Sequence, residues 1–370
     1  MAANSIQKKA ELLFKSSYYP LISIAMALLG GGIIISALGF SPIDAYRALI
    51  KGSFGNANAI GETLVKASPL IFTGLSYAIA KRCGIINLGA EGQLYAGALT
   101  GTLVGTALAG LPMAIHLPLT IAAGFLGGAI FGMLVGVLKT RFGASELITT
   151  IMLNYIAVSF ISFCVTGPMK DTAAGSFPQS KQILASARFP HLMEGSRLHA
   201  GIFVVILALL FYYFFMWRTT RGYQMRVIGL NSTAGHYAGM NLKTNSILSM
   251  FLAGGMAGIG GSMEIMAVQF RLLQDFSSNY GFDGIAVALL GNNSPIGIAL
   301  SGILFGALRS GSGKMQMLAQ VPSAVIYMIQ GFIILFVIGR EMFNLSKLIK
   351  NKKQKVNPCN DETVKEAESK

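Results

Sequence analysis

Charge is scarce in this sequence. Asp, Glu, Lys and Arg make up 12% of its 370 residues, about half the share in an ordinary water-soluble domain. A soluble chain of this length would need far more polar surface, so a soluble catalytic domain is excluded. Histidine is sparse as well. The four, His116, His191, His199 and His236, are dispersed, and they form no cluster of the kind a membrane-embedded transferase or metal centre needs. The central apolar stretches offer no acid–histidine relay for proton coupling. The three cysteines, Cys83, Cys164 and Cys359, lie far apart, with neither metal spacing nor a disulfide framework. No cofactor or metal is expected on this chain. The net charge of +14 comes without a basic stripe or an aromatic platform, which argues against nucleic acid as a partner. Its cations scatter through short loops and the tail, a distribution that sets membrane orientation.

What abounds is apolar sequence, 53% hydrophobic with 44 glycines. After Lys8, Lys9 and Lys15 comes an uncharged run from Pro20 to Phe40, and about 20 residues suffice to span hydrocarbon. No small-residue cleavage site follows, so it reads as a retained first helix. Further apolar segments cover 62–80, 86–110, 117–138, 146–166, 199–217, 245–268, 282–291, 295–308 and 322–339. Backbone groups in lipid must be satisfied within a segment, and these runs neither alternate nor stay short enough for barrel strands. The expected fold is all-α, a polytopic transmembrane helical bundle. Between 282 and 308 the cluster GNNSP (Gly291 to Pro295) should interrupt a helix. One broken pass would leave the lysine-rich tail outside. Two short arms give about ten membrane segments with both termini cytoplasmic. The lysines and arginines favour the second arrangement, with Arg309 and Lys314 assigned to an outer loop. Residues 1–19 are then a cytoplasmic N-terminus, 20–340 the membrane domain, and 341–370 a charged, partly disordered cytoplasmic tail. Tyr18, Tyr19, Tyr212, Tyr213 and Trp217 fall near helix ends, as interfacial anchors do.

Two glycine sets recur every four residues: Gly124, Gly128, Gly132 and Gly136, and Gly97, Gly101 and Gly105. Each makes a smooth ridge that lets helices approach closely; the alternative is a glycine-lined channel wall. Gly311-Ser312-Gly313-Lys314 has the outline of a phosphate-binding loop, but Leu308 replaces its first glycine and Met315 the required Ser or Thr. Any ATP must be hydrolysed by another subunit.

Five acidic residues, Glu62, Glu91, Glu146, Glu264 and Asp283, lie in or beside apolar segments, where a charge needs a partner or water. Glu62 and Lys66 are spaced for an i,i+4 ion pair. Glu146 stands where the positive end of a helix dipole favours an anion. Glu91 sits in GIINLGAEGQLYAGA (Gly84 to Ala98) with Asn87 and Gln93. Asn87 and Glu91 share a helical face, and the neighbouring glycines loosen the backbone. Asn87, Glu91, Gln93 and Asn154, the last in ELITTIMLNYIA (Glu146 to Ala157), admit two readings. They line a path for an uncharged polar solute, or they hydrogen-bond between helices and fix the packing. After Arg218, Arg221 and Arg226, the stretch GLNSTAGHYAGMNLKTN (Gly229 to Asn245) reads as a short amphipathic helix starting near Asn231 or Ser232. Such a helix docks into a partner's groove or lies on lipid.

Five blocks in order, GETLVKASPLIFTGL (61–75), GIINLGAEGQLYAGA, ELITTIMLNYIA, the 229–245 loop with FLAGGMAGIGG (251–261), and GFDGIAVALLGNNSPIGI (281–298), carry a resemblance. The chain resembles a permease subunit of bacterial ABC importers, in the broad family serving branched-chain amino acids and simple sugars, and is most similar to its nucleoside-uptake branch. The resemblance spans residues 20–340. It implies a multi-pass protein of the bacterial cytoplasmic (inner) membrane with three protein partners. These are a cytoplasmic ABC ATPase that holds ATP and magnesium, a second and often non-identical permease subunit, and an extracytoplasmic solute-binding lipoprotein. The implied solute is a nucleoside; a simple sugar or a riboflavin-like vitamin are alternatives within the family. An autonomous carrier and a membrane-embedded transferase are the alternatives outside it. The resemblance also makes Gly229 to Met240 the coupling helix that inserts into the ATPase. Following Gly229, residues Asn231, Ala234, Tyr237, Ala238 and Gly239 match its pattern. Ser232 and Gly235 depart from it, where proline and alanine are usual. Glycine weakens a helix by about 1 kcal/mol relative to alanine, which bears on the length of that helix.

Overall fold

The computed structural model describes residues 22–337 except 176 and 194. The N-terminal segment 1–19, the tail 341–370, Tyr18, Tyr19 and Cys359 lie outside the described residues. Within them the fold is all-helical, with isolated bridges and no ladder. In chain order the helices are α1 (Ile22–Ala37), α2 (Pro42–Phe54), α3 (Ala57–Arg82), α4 (Ala90–Ala107), α5 (Met113–Phe142), α6 (Glu146–Thr166) and α7 (Gly201–Arg218). Then follow α8 (Thr220–Leu230), α9 (Ser232–Tyr237), α10 (Leu242–Glu264, prolonged by a π-helical turn Ile265–Gln269), α11 (Tyr280–Leu290), α12 (Pro295–Ala319) and α13 (Ala324–Val337).

The helix starts follow local chemistry. Ser41, Asn56, Thr219, Asn231, Asn241 and Ser294 each accept a first-turn N–H on the side chain, which satisfies donors that the helix leaves free. Pro42 and Pro295 occupy first helical positions, where the missing N–H costs nothing. Each apolar segment read from the sequence carries a helix. Six of these, α3, α5, α6, α7, α10 with its π turn, and α12, are long and apolar enough to cross a membrane. This is a multi-pass membrane protein.

The described residues fall into two compact units, 22–39 with 324–337, and 40–323. In the first, the Phe332 ring of α13 covers Gly30 of α1. The second holds α2 to α12. Its central helices are α3 and α10, whose membrane-length windows are 89% and 83% buried, whereas α5, α6 and α7 bury less than half of theirs. Helices apolar on their outer face face lipid, and helices buried all round form the core.

Glycine sets the closest approaches in that core. Gly97 of α4 and Gly124 and Gly128 of α5 all meet Gly258 of α10, and Gly128 and Gly132 meet Gly254. A Cβ on Gly258 or Gly128 would run into the facing backbone. Gly101 packs on Ser262, Gly136 on Ile247, and Gly105 on Ile183 of the 167–200 loop. Apart from Gly105, the glycines of both ridges thus lie against α10.

Three expectations are corrected. Residues 86–89 do not begin α4: the chain leaves the helix after Arg82 and runs irregularly to Gly89. Only the first arm around GNNSP is short. With 11 residues, α11 extends about 16 Å, whereas α12 has 25 residues and reaches past the expected end at 308. Arg309 and Lys314 consequently lie inside α12 rather than in an outer loop. The same helix contains Gly311 to Lys314, so that stretch has no loop with which to cradle a phosphate. Two further helices, α2 and α8, occupy segments read as loop.

Candidate functional site

The irregular stretch 85–89 is buried in a helical core, so its freed backbone groups need partners. They come from the polar residues singled out in the sequence. Asn87 is fully buried. Its Nδ2 donates to Ser76 Oγ (3.0 Å) and Gln93 Oε1 (2.9 Å), while its Oδ1 accepts from the N–H of Gly89 (2.9 Å). Asn154 of α6 spans the break from the other side: Oδ1 accepts from Gly92 N–H and Nδ2 donates to the Leu88 carbonyl, both at 2.8 Å. Glu91 Oε2 accepts the N–H of Gly281 at 2.6 Å. Gly281 lies in the first turn of α11, where the helix dipole favours an anion. Asn87, Glu91, Gln93 and Asn154 are thus brought together at one place, each no more than 6% exposed. Their hydrogen bonds run to this chain's own backbone, to the Ser76 hydroxyl, and between Asn87 and Gln93.

The acidic residues of the apolar segments have partners too. Asp283 of α11 meets Arg309 of α12 at 2.8 Å, and the same guanidinium donates to the Ser278 carbonyl and stands over the Tyr280 ring at 4.5 Å. Glu62 does face Lys66 (3.9 Å), but Arg197 of the 167–200 loop is nearer at 2.9 Å. Lys66 Nζ also reaches the Arg309 carbonyl (3.4 Å). Glu146, in the first turn of α6, pairs with Lys139 of α5 at 2.8 Å. Glu264 is buried with Gln269 Nε2 at 3.4 Å. Sequence reasoning missed Arg309 as the partner of Asp283. The available signal was that a carboxylate amid apolar helices requires a cation.

At the opposite end from this ion pair lies the turn 291–294. Asn292 and Asn293 both adopt left-handed backbone (φ 52° and 50°), which asparagine tolerates better than most residues. The Asn293 carbonyl accepts from Arg82 Nη2 (3.0 Å) and from Tyr212 Oη (2.8 Å). This ties the turn to the end of α3 and to the body of α7.

Beside it, α8 and α9 form a projecting corner. Asn231 ends α8 and caps α9, accepting Ala234 N–H at 3.0 Å. The helix is one and a half turns long and starts at Ser232, as the sequence suggested. Leu230 and Tyr237 are 90% and 86% exposed. Gly239 closes the turn with φ +74°, and Met240 N–H returns to the Gly235 carbonyl (3.0 Å). Gly229 lies against the backbone of Arg82 and Gly84, where a Cβ would collide with the Arg82 carbonyl. The base of the projecting corner therefore rests on the very turn from which the 85–89 break departs. Among the described residues no cluster of His, Cys, Asp and Glu could hold a metal ion.

Residues 59–338 match the family described as branched-chain amino acid transport system / permease component. Guanosine ABC transporter permease protein NupP of Bacillus subtilis is 39% identical over 86% of this chain and 92% of its own length. Nucleoside ABC transporter permease protein NupB of Lactococcus lactis is 37% identical over 86% and 89%. Glucose ABC transporter permease protein TsgB13 of Haloferax volcanii is 34% identical over 88% and 87%. No solved structure matches. These relatives are transporter permease subunits and not enzymes. With its lipid-facing helices and internally bonded polar core, this chain belongs to the same permease-component family.

Proposed function

We propose that this chain is one of two permease subunits of an ATP-driven nucleoside importer in a bacterial cytoplasmic membrane, with about ten membrane segments and both termini inside. The observation that carries the solute class is the high similarity, along most of both chains, to permeases named for guanosine and nucleosides. The orientation is supported by the burial of Arg309 in an ion pair, since this removes a cation from the outer loops and sharpens the inward bias of the rest. The second subunit is a non-identical permease, the ATPase holds ATP and magnesium, and a solute-binding lipoprotein works from outside. A glucose-type sugar is the second reading, supported by the similarity to TsgB13.

In this reading Ser232–Tyr237 docks into the ATPase, and Gly229, Asn231, Ala234, Tyr237, Ala238 and Gly239 shape the docking element. Closure of the ATPases displaces α9, and Gly229 passes the displacement to Arg82 and Gly84, hence to the broken entry of α4. Asn87, Glu91, Gln93 and Asn154 act as positioning residues that hold this break in a defined geometry while the path opens and closes. ATP favours one state only through contacts that differ between states. Co-reconstitution of the permease pair with ATPase and lipoprotein in proteoliposomes, followed by radiolabelled guanosine and glucose, tests the solute class. ATP-dependent guanosine accumulation is expected; accumulation of glucose alone would transfer the assignment to sugars.

A further inference from the structure

A cavity of about 270 Å³ opens between the end of α3, the end of α8 and the 291–294 turn, lined by Lys81, Arg82, Arg226, Leu230, Asn292 and Asn293 among others. Three of its residues are cations, and among the described residues no carboxylate forms an ion pair with any of them. The Nε atoms of Arg82 and Arg226 are buried without a hydrogen-bond partner, as is Oδ1 of Asn293; turned over, that amide would present donors instead. Both guanidinium groups stand over Trp217, at 5.2 Å for Arg82 and 6.0 Å for Arg226. Like charges sharing so small a space repel, and buried donors without acceptors are costly. An anion relieves both.

Its source follows from where the cavity lies. The exposed side chains Phe203, Leu207, Leu210 and Phe214 make α7 a lipid-facing helix, and this face ends at Tyr213 and Trp217, whose rings stack at 5.9 Å. Tyr and Trp settle at headgroup depth. The cations beside them therefore stand at the level of lipid phosphates. We infer that the Lys81–Arg82–Arg226 cavity binds the phosphate of an anionic phospholipid headgroup from the cytoplasmic leaflet, next to the coupling corner. The inference rests on the orientation proposed above but not on the solute, because lipid retention is read without transport.

The test uses the full transporter complex in detergent, titrated with phosphatidylglycerol or phosphatidylcholine and examined by native mass spectrometry. The native complex should retain phosphatidylglycerol preferentially, and Arg226→Gln should lower that retention about fivefold, the contribution of one cation at an anionic surface. Arg226→Gln is preferred to an Arg82 substitution because Arg82 also holds the Asn293 turn. Lys81→Gln, an exposed position, serves as the second variant. Retention unchanged in both variants overturns the inference. So does displacement of ATPase from the variants with lipid retention intact, which would give the cavity to an acidic side chain of the ATPase. Binding of inorganic phosphate with no preference between the two lipids overturns it as well, since the source would then be the free ion.

Discussion

Arg309 and Asp283 lie 26 residues apart on α12 and α11 and meet at 2.8 Å, with side chains 8% and 14% exposed. Between them they fasten the short arm α11 to the long helix beside it. Glu91 holds the first turn of α11 from another side, and the 291–294 turn pins its other end to Arg82 and Tyr212. A helix too short to cross the bilayer is thus fixed at both ends by polar contacts.

Removing one member of such a pair leaves the other charge buried and alone. Arg309→Met should therefore destabilise the protein by about 3–5 kcal/mol, seen as a lower thermal midpoint in detergent. The double variant Arg309→Met/Asp283→Leu should recover much of that loss, since it strands no charge. A double variant no more stable than Arg309→Met would show that the pair itself is unimportant.

The α5–α10 contact depends on backbone meeting backbone. Gly258→Leu should abolish correctly folded protein, because Gly97, Gly124 and Gly128 all crowd that position and the core has no room to yield. Gly313→Ala is the control, with open space around its Cβ. Size-exclusion profiles of the two variants decide it: equal monodisperse yield would rule out the close approach.

How much of this was legible beforehand divides along a physical line. Hydrophobic length is written locally, so the apolar segments, the GNNSP turn and the α9 start could all be read from the sequence. The glycine ridges on α4 and α5 were visible as well; their counterpart Gly254 and Gly258 on α10 follows the same four-residue spacing and went unread. A helix break inside an apolar run is harder. Ile85, Ile86 and Leu88 look like helix; Gly84 turns the chain with φ +79° and Asn87 bonds Gly89 locally, and the remaining partner is tertiary: Asn154, contributed by α6, accepts from Gly92 and donates to Leu88. The ion pair of Arg309 with Asp283 is non-local in the same way. Reading Arg309 as a loop residue followed from treating a cation as the end of a segment.

Asn154 supplies two hydrogen bonds to that break from α6. Asn154→Leu should strand a buried donor and acceptor, at about 1–3 kcal/mol each, and lower uptake along with stability. Asn154→Asp keeps the acceptor for Gly92 but sets a carboxylate against the Leu88 carbonyl, so it should be impaired as well. If Asn154 instead served only to bind solute, Asn154→Leu would raise the KM for uptake and leave the thermal midpoint unchanged.

Docking at α9 is tested by a residue that folding does not need. Tyr237 is 86% exposed, so Tyr237→Asp should leave expression unchanged and stability within about 0.5 kcal/mol of native, as exposed substitutions do. ATP-driven uptake and ATPase co-purification should fall together. Normal uptake by a well-expressed Tyr237→Asp complex would remove α9 from the coupling path.

Acid should weaken the protein at the start of α7 through His199. This residue precedes α7, is 3% exposed, and its Nδ1 accepts the N–H of Gly201 at 3.1 Å. Burial, reinforced by the charge of His191, pushes its pKa down to about 4, against about 6.5 in an unfolded chain. A group whose folded pKa is depressed contributes stability that is fully present above the unfolded value and is lost as pH falls toward the folded one. Between pH 6.5 and 4 the unfolded chain takes up a proton that folded His199 refuses, so the thermal midpoint should decline across that window. His199→Gln carries no titrating ring, and its midpoint should fall less steeply over the same range. Parallel curves for the two proteins would mean that His199 is protonated without penalty, and that its burial against Phe189 and Gly201 opens readily to water.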